Sequence, residues 1–170
     1  LVENGKHVKM SKRSGEFITL KEMVDKVGSD SIRFMMMYRK NEAPLEFDVQ
    51  KVTEQSKDNP VFYVQYAHAR ISSVINKLKK TNMNIDLTNF DNCNFSLLDK
   101  EGEIELIKIL LDWKGVIETA VKLYEPHRIS YYLYDLSSSF HSLWNQGKID
   151  KNNKFIAVSY THLTLPTSPK

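Results

Sequence analysis

Two groups of residues carry types and spacings suited to chemistry. The first is the run Gly5-Lys6-His7-Val8-Lys9-Met10-Ser11-Lys12-Arg13-Ser14-Gly15, which places four lysine and arginine residues, a histidine and two serines between bracketing glycines. Clustered lysine and arginine resist desolvation, and the flanking glycines relax the backbone, so this run reads as a basic loop and not as core. A generic basic run is a solvated surface. The ordered string Lys9-Met10-Ser11-Lys12 is what raises a functional reading. The second group is Tyr63, Tyr66 and Arg70, which cluster on one side of a long helical pattern. Two aromatics and an arginine there fit either of two roles. The face packs on another element, or it is a platform for nucleic-acid bases, using aromatic stacking and guanidinium contacts.

The elements that must position these groups are helical. Thr19 with Glu22 three residues later forms a capping-box pattern, and Leu20, Met23, Val24 and Val27 share a face that Gly28 terminates. A second helix runs from Ser29 or Asp30 to about Lys40. It is apolar nearly all round and is expected to be deeply packed, with Met35, Met36 and Met37 as core filling. Asn41 to Phe47 is a connector, and Asp48 opens a short helix carrying Val49 and Val52. Asn59-Pro60 supplies a cap and a first-turn proline for the next helix. In that helix Val61, Val64, His68, Ile71, Ile75 and Leu78 recur at three- and four-residue steps, which makes His68 a partly buried, hydrogen-bonded histidine and not a ligand.

Residues 81–95 are rich in Asn, Asp and Thr and read as a surface loop. Leu106, Leu110, Trp113, Ile117, Ala120 and Tyr124 then form one stripe, with Trp113 in the core. Pro126 breaks that helix and opens the next, in which Ile129, Leu133, Leu136, Phe140 and Leu143 align and Gly147 ends the helix. Trp144 lies at the edge of that stripe. The fold class expected is all-α. A short loop segment and connecting helices lead, from about Asn59, into an antiparallel helical bundle. The segment 157–170 carries no charge until its last residue and holds prolines that forbid a helix, so it reads as an unrelated tail.

Composition narrows the function classes. Lys+Arg 24 against Asp+Glu 21 gives a net charge of +3, so any nucleic-acid surface must come from local clustering. The single cysteine, Cys93, cannot form an intramolecular disulfide, which fits a reducing cytoplasm and excludes a structural zinc site built on cysteines. No apolar run is long enough to span a bilayer. Leu1 is not an initiator methionine and no signal-peptide pattern follows it, so the chain is expected to begin inside a larger protein.

Long ordered strings carry a resemblance. VKMSKRSG, SDSIRFMMMYRKNEAPLEFD, EQSKDNPVFYVQYAHARI and EPHRISYYLYDLSSSFHSLWNQGK occur in this order, and residues 1–156 resemble bacterial arginyl-tRNA synthetase. The resemblance implies that residues 1–47 are the end of a catalytic domain with its KMSKS-type loop, and that residues 48–156 are a truncated helical anticodon-binding domain. It implies an ATP-dependent ligase that activates arginine and transfers it to tRNA(Arg) in the cytoplasm, with Mg2+ accompanying ATP and no protein-bound metal. Lys9 and Lys12 would contact ATP phosphates and stabilise charge in the transition state, with Met10 seated near the adenine and Ser11 supplying a further contact. Arg13 stands where the commonest class I pattern has serine, and arginine is usual there in this branch. Tyr63, Tyr66, Arg70 and Trp144 would face the tRNA. The arginine pocket is expected to lie outside this chain, and the chain alone is expected to be inactive. A stand-alone helical tRNA-binding module without catalysis is the alternative, as is another class I synthetase with the same lysine loop.

Overall fold

A computed structural model describes residues 2–3, 6–7, 19–44, 47–80, 91, 94–150 and 155. The basic loop with Lys9, Met10, Ser11 and Lys12, residues 81–90 and residues 156–170 lie outside the described residues. Among the described residues the chain is helical apart from a two-residue antiparallel pairing of β1 (Val2–Glu3) with β2 (Lys6–His7). Among the described residues the α-helices are α1 (Leu20–Val27), α2 (Ser29–Tyr38), α3 (Val49–Thr53), α4 (Pro60–Lys80), α5 (Glu101–Leu111), α6 (Trp113–Leu123) and α7 (His127–Ile149), with a short 3-10 helix at Phe95–Leu97. The chain divides into two compact units. One comprises residues 1–65 and 112–135, the other residues 66–111 and 136–170.

In the first unit, local chemistry sets the helix ends. The Thr19 hydroxyl accepts from the Glu22 backbone N–H at 3.1 Å, and Glu22 Oε2 accepts from the Thr19 backbone N–H at 2.7 Å, completing the capping box. Gly28 ends α1 at φ 81°, ψ 151°, and its N–H donates to the Val24 carbonyl. That backbone region is essentially reserved for glycine. Asp48 caps α3 by accepting from the Gln50 and Lys51 N–H groups. Met23, Ile32, Phe47 and Val52 form the buried cluster, with Val24, Val27, Met35 and Val49 packed against it.

Asn59 is the buried polar joint between α3 and α4. Its Oδ1 accepts from the Val61 and Phe62 N–H groups, and its Nδ2 donates to the carbonyls of Val52 and Glu54. All four contacts serve backbone groups that a helix end leaves without intrahelical partners.

Several expectations are corrected. Met36 and Met37 are 49% and 42% exposed, so α2 is not deeply packed; within it only Ile32 is buried. Trp113 is 42% exposed and makes an edge-of-core ring contact with Tyr132, with centroids 5.0 Å apart. The chain breaks its helix at Asp112, so one expected stripe becomes two helices, and α6 closes on Tyr124 in the left-handed region. Glycine 147 does not end α7, which continues to Ile149 with Gly147 buried inside it.

Candidate nucleic-acid interface

In the second unit, α4 presents Tyr66 and Arg70 one turn apart, and α7 presents His141 and Trp144 three residues apart. Residues three or four apart on a helix are neighbours on its surface, so each helix contributes a matched pair. Arg70 is the centre of the cluster. Its Nη2 donates to the Tyr66 hydroxyl at 2.8 Å, and its guanidinium carbon lies 4.0 Å from the Tyr66 ring centroid. Its Nη1 meets His141 Nδ1 at 2.8 Å, and the Trp144 ring centroid is 5.1 Å away. Contacts of a cation with an aromatic face within about 6 Å are attractive through the ring quadrupole.

The aromatic shell continues. Tyr66 lies 5.3 Å from His141 between ring centroids, Phe140 lies 5.9 Å from Trp144, and Trp144 stacks on Phe155 at 5.5 Å. Phe140 and His141 are buried, Arg70 and Trp144 are half-buried, and Tyr66 is 40% exposed. The cluster thus offers solvent an aromatic ring and a partly exposed guanidinium. It can stack a planar base and bind an anion. Beside it a cavity of about 390 Å³ is lined by Val74, Lys77, Trp144, Gly147, Lys148 and Phe155 among others.

Tyr63 is placed differently. It belongs to the first unit, half-buried, with its ring centroid 5.5 Å from that of Tyr134. The Tyr134 hydroxyl in turn donates to the Lys57 carbonyl at 3.3 Å. Burial, then the neighbouring Tyr63 and the Asp58 and Asp135 carboxylates, push the Tyr134 phenol above its ordinary value. In this first unit Tyr38 is likewise raised, by burial and then by Tyr131, whose ring meets it edge-on at 4.8 Å.

The structure therefore brings Tyr66, Arg70 and Trp144 together and sets Tyr63 in a separate aromatic pair. His68 is exposed, contrary to the expectation of a partly buried histidine. The protected face of α4 runs through Ala67 and Arg70, because His141 and Trp144 offer that side a polar and aromatic surface. His141, only 2% exposed, is the residue that sequence reasoning missed. Its one signal is the spacing Ser137–His141–Trp144, four and then three residues, which aligns them on one side of α7. Lys9, Met10, Ser11 and Lys12 lie outside the described residues, and among the described residues no group of three or more His, Cys, Asp or Glu could hold a metal ion.

The model of the DALR anticodon binding domain matches residues 64–165, more than half of the chain and the stretch that holds this cluster. The chain belongs to the DALR anticodon-binding domain family. Its helical architecture accords with that membership. Relatives of the DALR-containing chain include an arginine–tRNA ligase of Parvibaculum lavamentivorans, 50% identical over 167 residues, and one of Beijerinckia indica, 52% identical over 167 residues. Each alignment covers 97% of this chain and 28% of the relative, so the chain spans about 28% of the length of the curated relatives it matches. A Campylobacter jejuni crystal structure assigned as an arginyl-tRNA synthetase superposes with a TM-score of 0.71 at 26% identity, covering 96% of this chain and 33% of that one.

Proposed function

We propose that this chain serves as part of an arginine–tRNA ligase. The parent enzyme would join arginine to ATP through attack of the arginine carboxylate on the α-phosphate, release pyrophosphate, and pass the arginyl group to tRNA(Arg). Residues 48–156 would read the tRNA, and residues 1–47 would close the catalytic domain. The observation that carries this reading is the coincidence of the DALR match over residues 64–165 with the Tyr66–Arg70–Trp144 cluster.

The proposed roles follow the chemistry of the side chains. Lys9 and Lys12 would meet the ATP phosphates, where preorganised cations lower the cost of charge developing during activation. Met10 and Ser11 would complete the ATP contact. Mg2+ would enter bound to ATP, and the site of action is the cytoplasm. Tyr66, Arg70 and Trp144 would contact tRNA(Arg), and Tyr63 would supply a further tRNA contact of its own. Among the described residues no helix is long and apolar enough to cross a membrane.

The test is a titration of the 170-residue chain with tRNA(Arg). Tyr66→Ala is expected to weaken binding about thirtyfold, the middle of the range for one lost base-stacking contact, with the melting temperature preserved. Loss of folding in that variant would make the ring structural. The chain alone is expected to bind tRNA without supporting arginine-dependent ATP–pyrophosphate exchange, and exchange by the purified chain would overturn the assignment of the arginine pocket to other residues.

A further inference from the structure

Arg70 is half-buried, and the groups that hold it are all neutral: the hydroxyl and ring of Tyr66, Nδ1 of His141 and the ring of Trp144. Among the described residues no carboxylate lies within ion-pair distance of it. A fully buried arginine needs a paired charge to offset its lost hydration, whereas a half-buried one keeps part of its water and can be held by neutral acceptors. Among the described residues a buried imidazole, that of His141, stands where a carboxylate could have stood.

The protonation of that imidazole follows from its partner. A guanidinium has donors only, so the atom facing Nη1 at 2.8 Å must supply a lone pair. His141 Nδ1 therefore carries no proton, and the ring is the neutral Nε2–H form. A carboxylate in this position would hold Arg70 more strongly and would also cancel its charge. A neutral acceptor fixes the direction of the guanidinium and leaves its charge in place. The Tyr66 hydroxyl, the second acceptor, is neutral for the same effect. The remaining donors of the guanidinium stay available to an anion.

We infer that His141 is a positioning residue, a neutral acceptor that aims Arg70 while leaving its full positive charge for an RNA phosphate. This rests on the RNA-binding reading given above.

The experiment compares the full 170-residue chain with its His141→Asn, His141→Ala and His141→Asp variants. Each is titrated with a synthetic anticodon stem-loop of tRNA(Arg) over a range of salt concentrations, with a thermal melt recorded alongside. Asparagine places a neutral oxygen near the position of Nδ1, so His141→Asn is expected to keep affinity within about threefold. His141→Ala, which removes the acceptor from a charged donor, is expected to lose about tenfold. His141→Asp restores direction but neutralises the charge, so the slope of log affinity against log salt is expected to shrink by about 0.7–0.9, the contribution of one phosphate contact. Nitrogen-15 spectra of the unsubstituted chain are expected to show an unprotonated Nδ1.

Affinity and salt slope unchanged in both His141→Ala and His141→Asp would overturn the role of His141, as would a protonated Nδ1. If His141→Asp does not fold, the contrast between asparagine and alanine decides, since only an acceptor role predicts rescue by asparagine. Absence of stem-loop binding by the unsubstituted chain overturns the RNA-binding reading and the purpose of Arg70 with it. Undiminished affinity in His141→Ala, with the unsubstituted chain binding the stem-loop, overturns the assignment to His141 alone.

Discussion

Asn59 Nδ2 donates to the Val52 carbonyl at 2.7 Å, tying the C-terminal turn of α3 to the residue that caps α4. The same amide donates to the Glu54 carbonyl, and its oxygen accepts from two N–H groups of the following helix. Asn59 is only 4% exposed, so water is a poor substitute for any of these contacts. Asn59→Ala is expected to destabilise the chain by about 2–4 kcal/mol, combining a lost cap with unsatisfied buried carbonyls. Asn59→Asp keeps the cap acceptor but aims a carboxylate at two carbonyl oxygens, and is expected to be at least as damaging. Urea denaturation of both variants checks this, and an aspartate variant as stable as the parent would remove the donor role.

Two positive-φ residues predict opposite effects. An added methyl group at Gly28 would meet nothing within 4 Å, so only its backbone resists substitution. Gly28→Ala is expected to cost about 1–3 kcal/mol. Tyr124 adopts φ 56°, ψ 40° with its side chain 83% exposed, and closes α6 through its own N–H. Glycine is the residue that this conformation favours, so Tyr124→Gly is expected to gain up to about 1 kcal/mol. Paired chemical denaturation of the two variants reads both signs. Stabilisation by Gly28→Ala would contradict the stated cause.

Acid acts on the start of α1. The Thr19 backbone N–H, and then its hydroxyl, hold the Glu22 carboxyl below its ordinary value. A group whose folded value is lowered stabilises the fold above its unfolded value and loses that contribution as pH falls through the folded one. The α1 capping box is therefore expected to be intact at neutral pH and to fray below about pH 4.3, the ordinary glutamate value. Carbon-13 titration of the Glu22 carboxyl, with amide exchange at Thr19, tests it; a midpoint at or above the ordinary value would refute the capping account.

Alkali acts on buried phenols. Burial raises Tyr38, Tyr132 and Tyr134, with Tyr131 the next contributor at Tyr38, Asp112 at Tyr132 and Tyr63 at Tyr134. A raised folded value means full stabilisation below the unfolded value and progressive loss as pH rises through the folded one. Stability is thus expected to decline above about pH 10. Ultraviolet titration of the eight tyrosines is expected to resolve a late class, and Tyr134→Phe to diminish it. A single transition at the ordinary value, with the chain still folded, would count against this packing.

What could be read from sequence was local. Thr19 with Glu22, Gly28, Asp48 and Asn59-Pro60 all mark helix ends where expected, because each satisfies backbone groups within a few residues of itself. The placement of α4 was not legible in the same way. Its apolar residues suggested a face through His68 and Ile71, whereas the protected side runs through Ala67 and Arg70. Partners on α7, 71 residues beyond Arg70 in the case of His141, decided which side was covered. Trp113 misled for a related reason, since a stripe from Leu106 to Tyr124 presumes one continuous helix and does not register the break at Asp112. In the candidate interface, Tyr66, Arg70 and Trp144 were readable as types with suitable spacing, while His141 had only its spacing from Ser137 and Trp144, which does not say that a guanidinium 71 residues away packs on it.

Gly28 serves as both the C-cap of α1 and the N-cap of α2. The corner between α1 and α2 therefore has no spare length. An inserted residue would have to unwind one helix by a turn or displace Ile32 from the cluster it shares with Met23. Gaps in the sequences of relatives are expected to avoid this corner and to collect in the longer connections, so Gly28 should act as a fixed register mark along the chain.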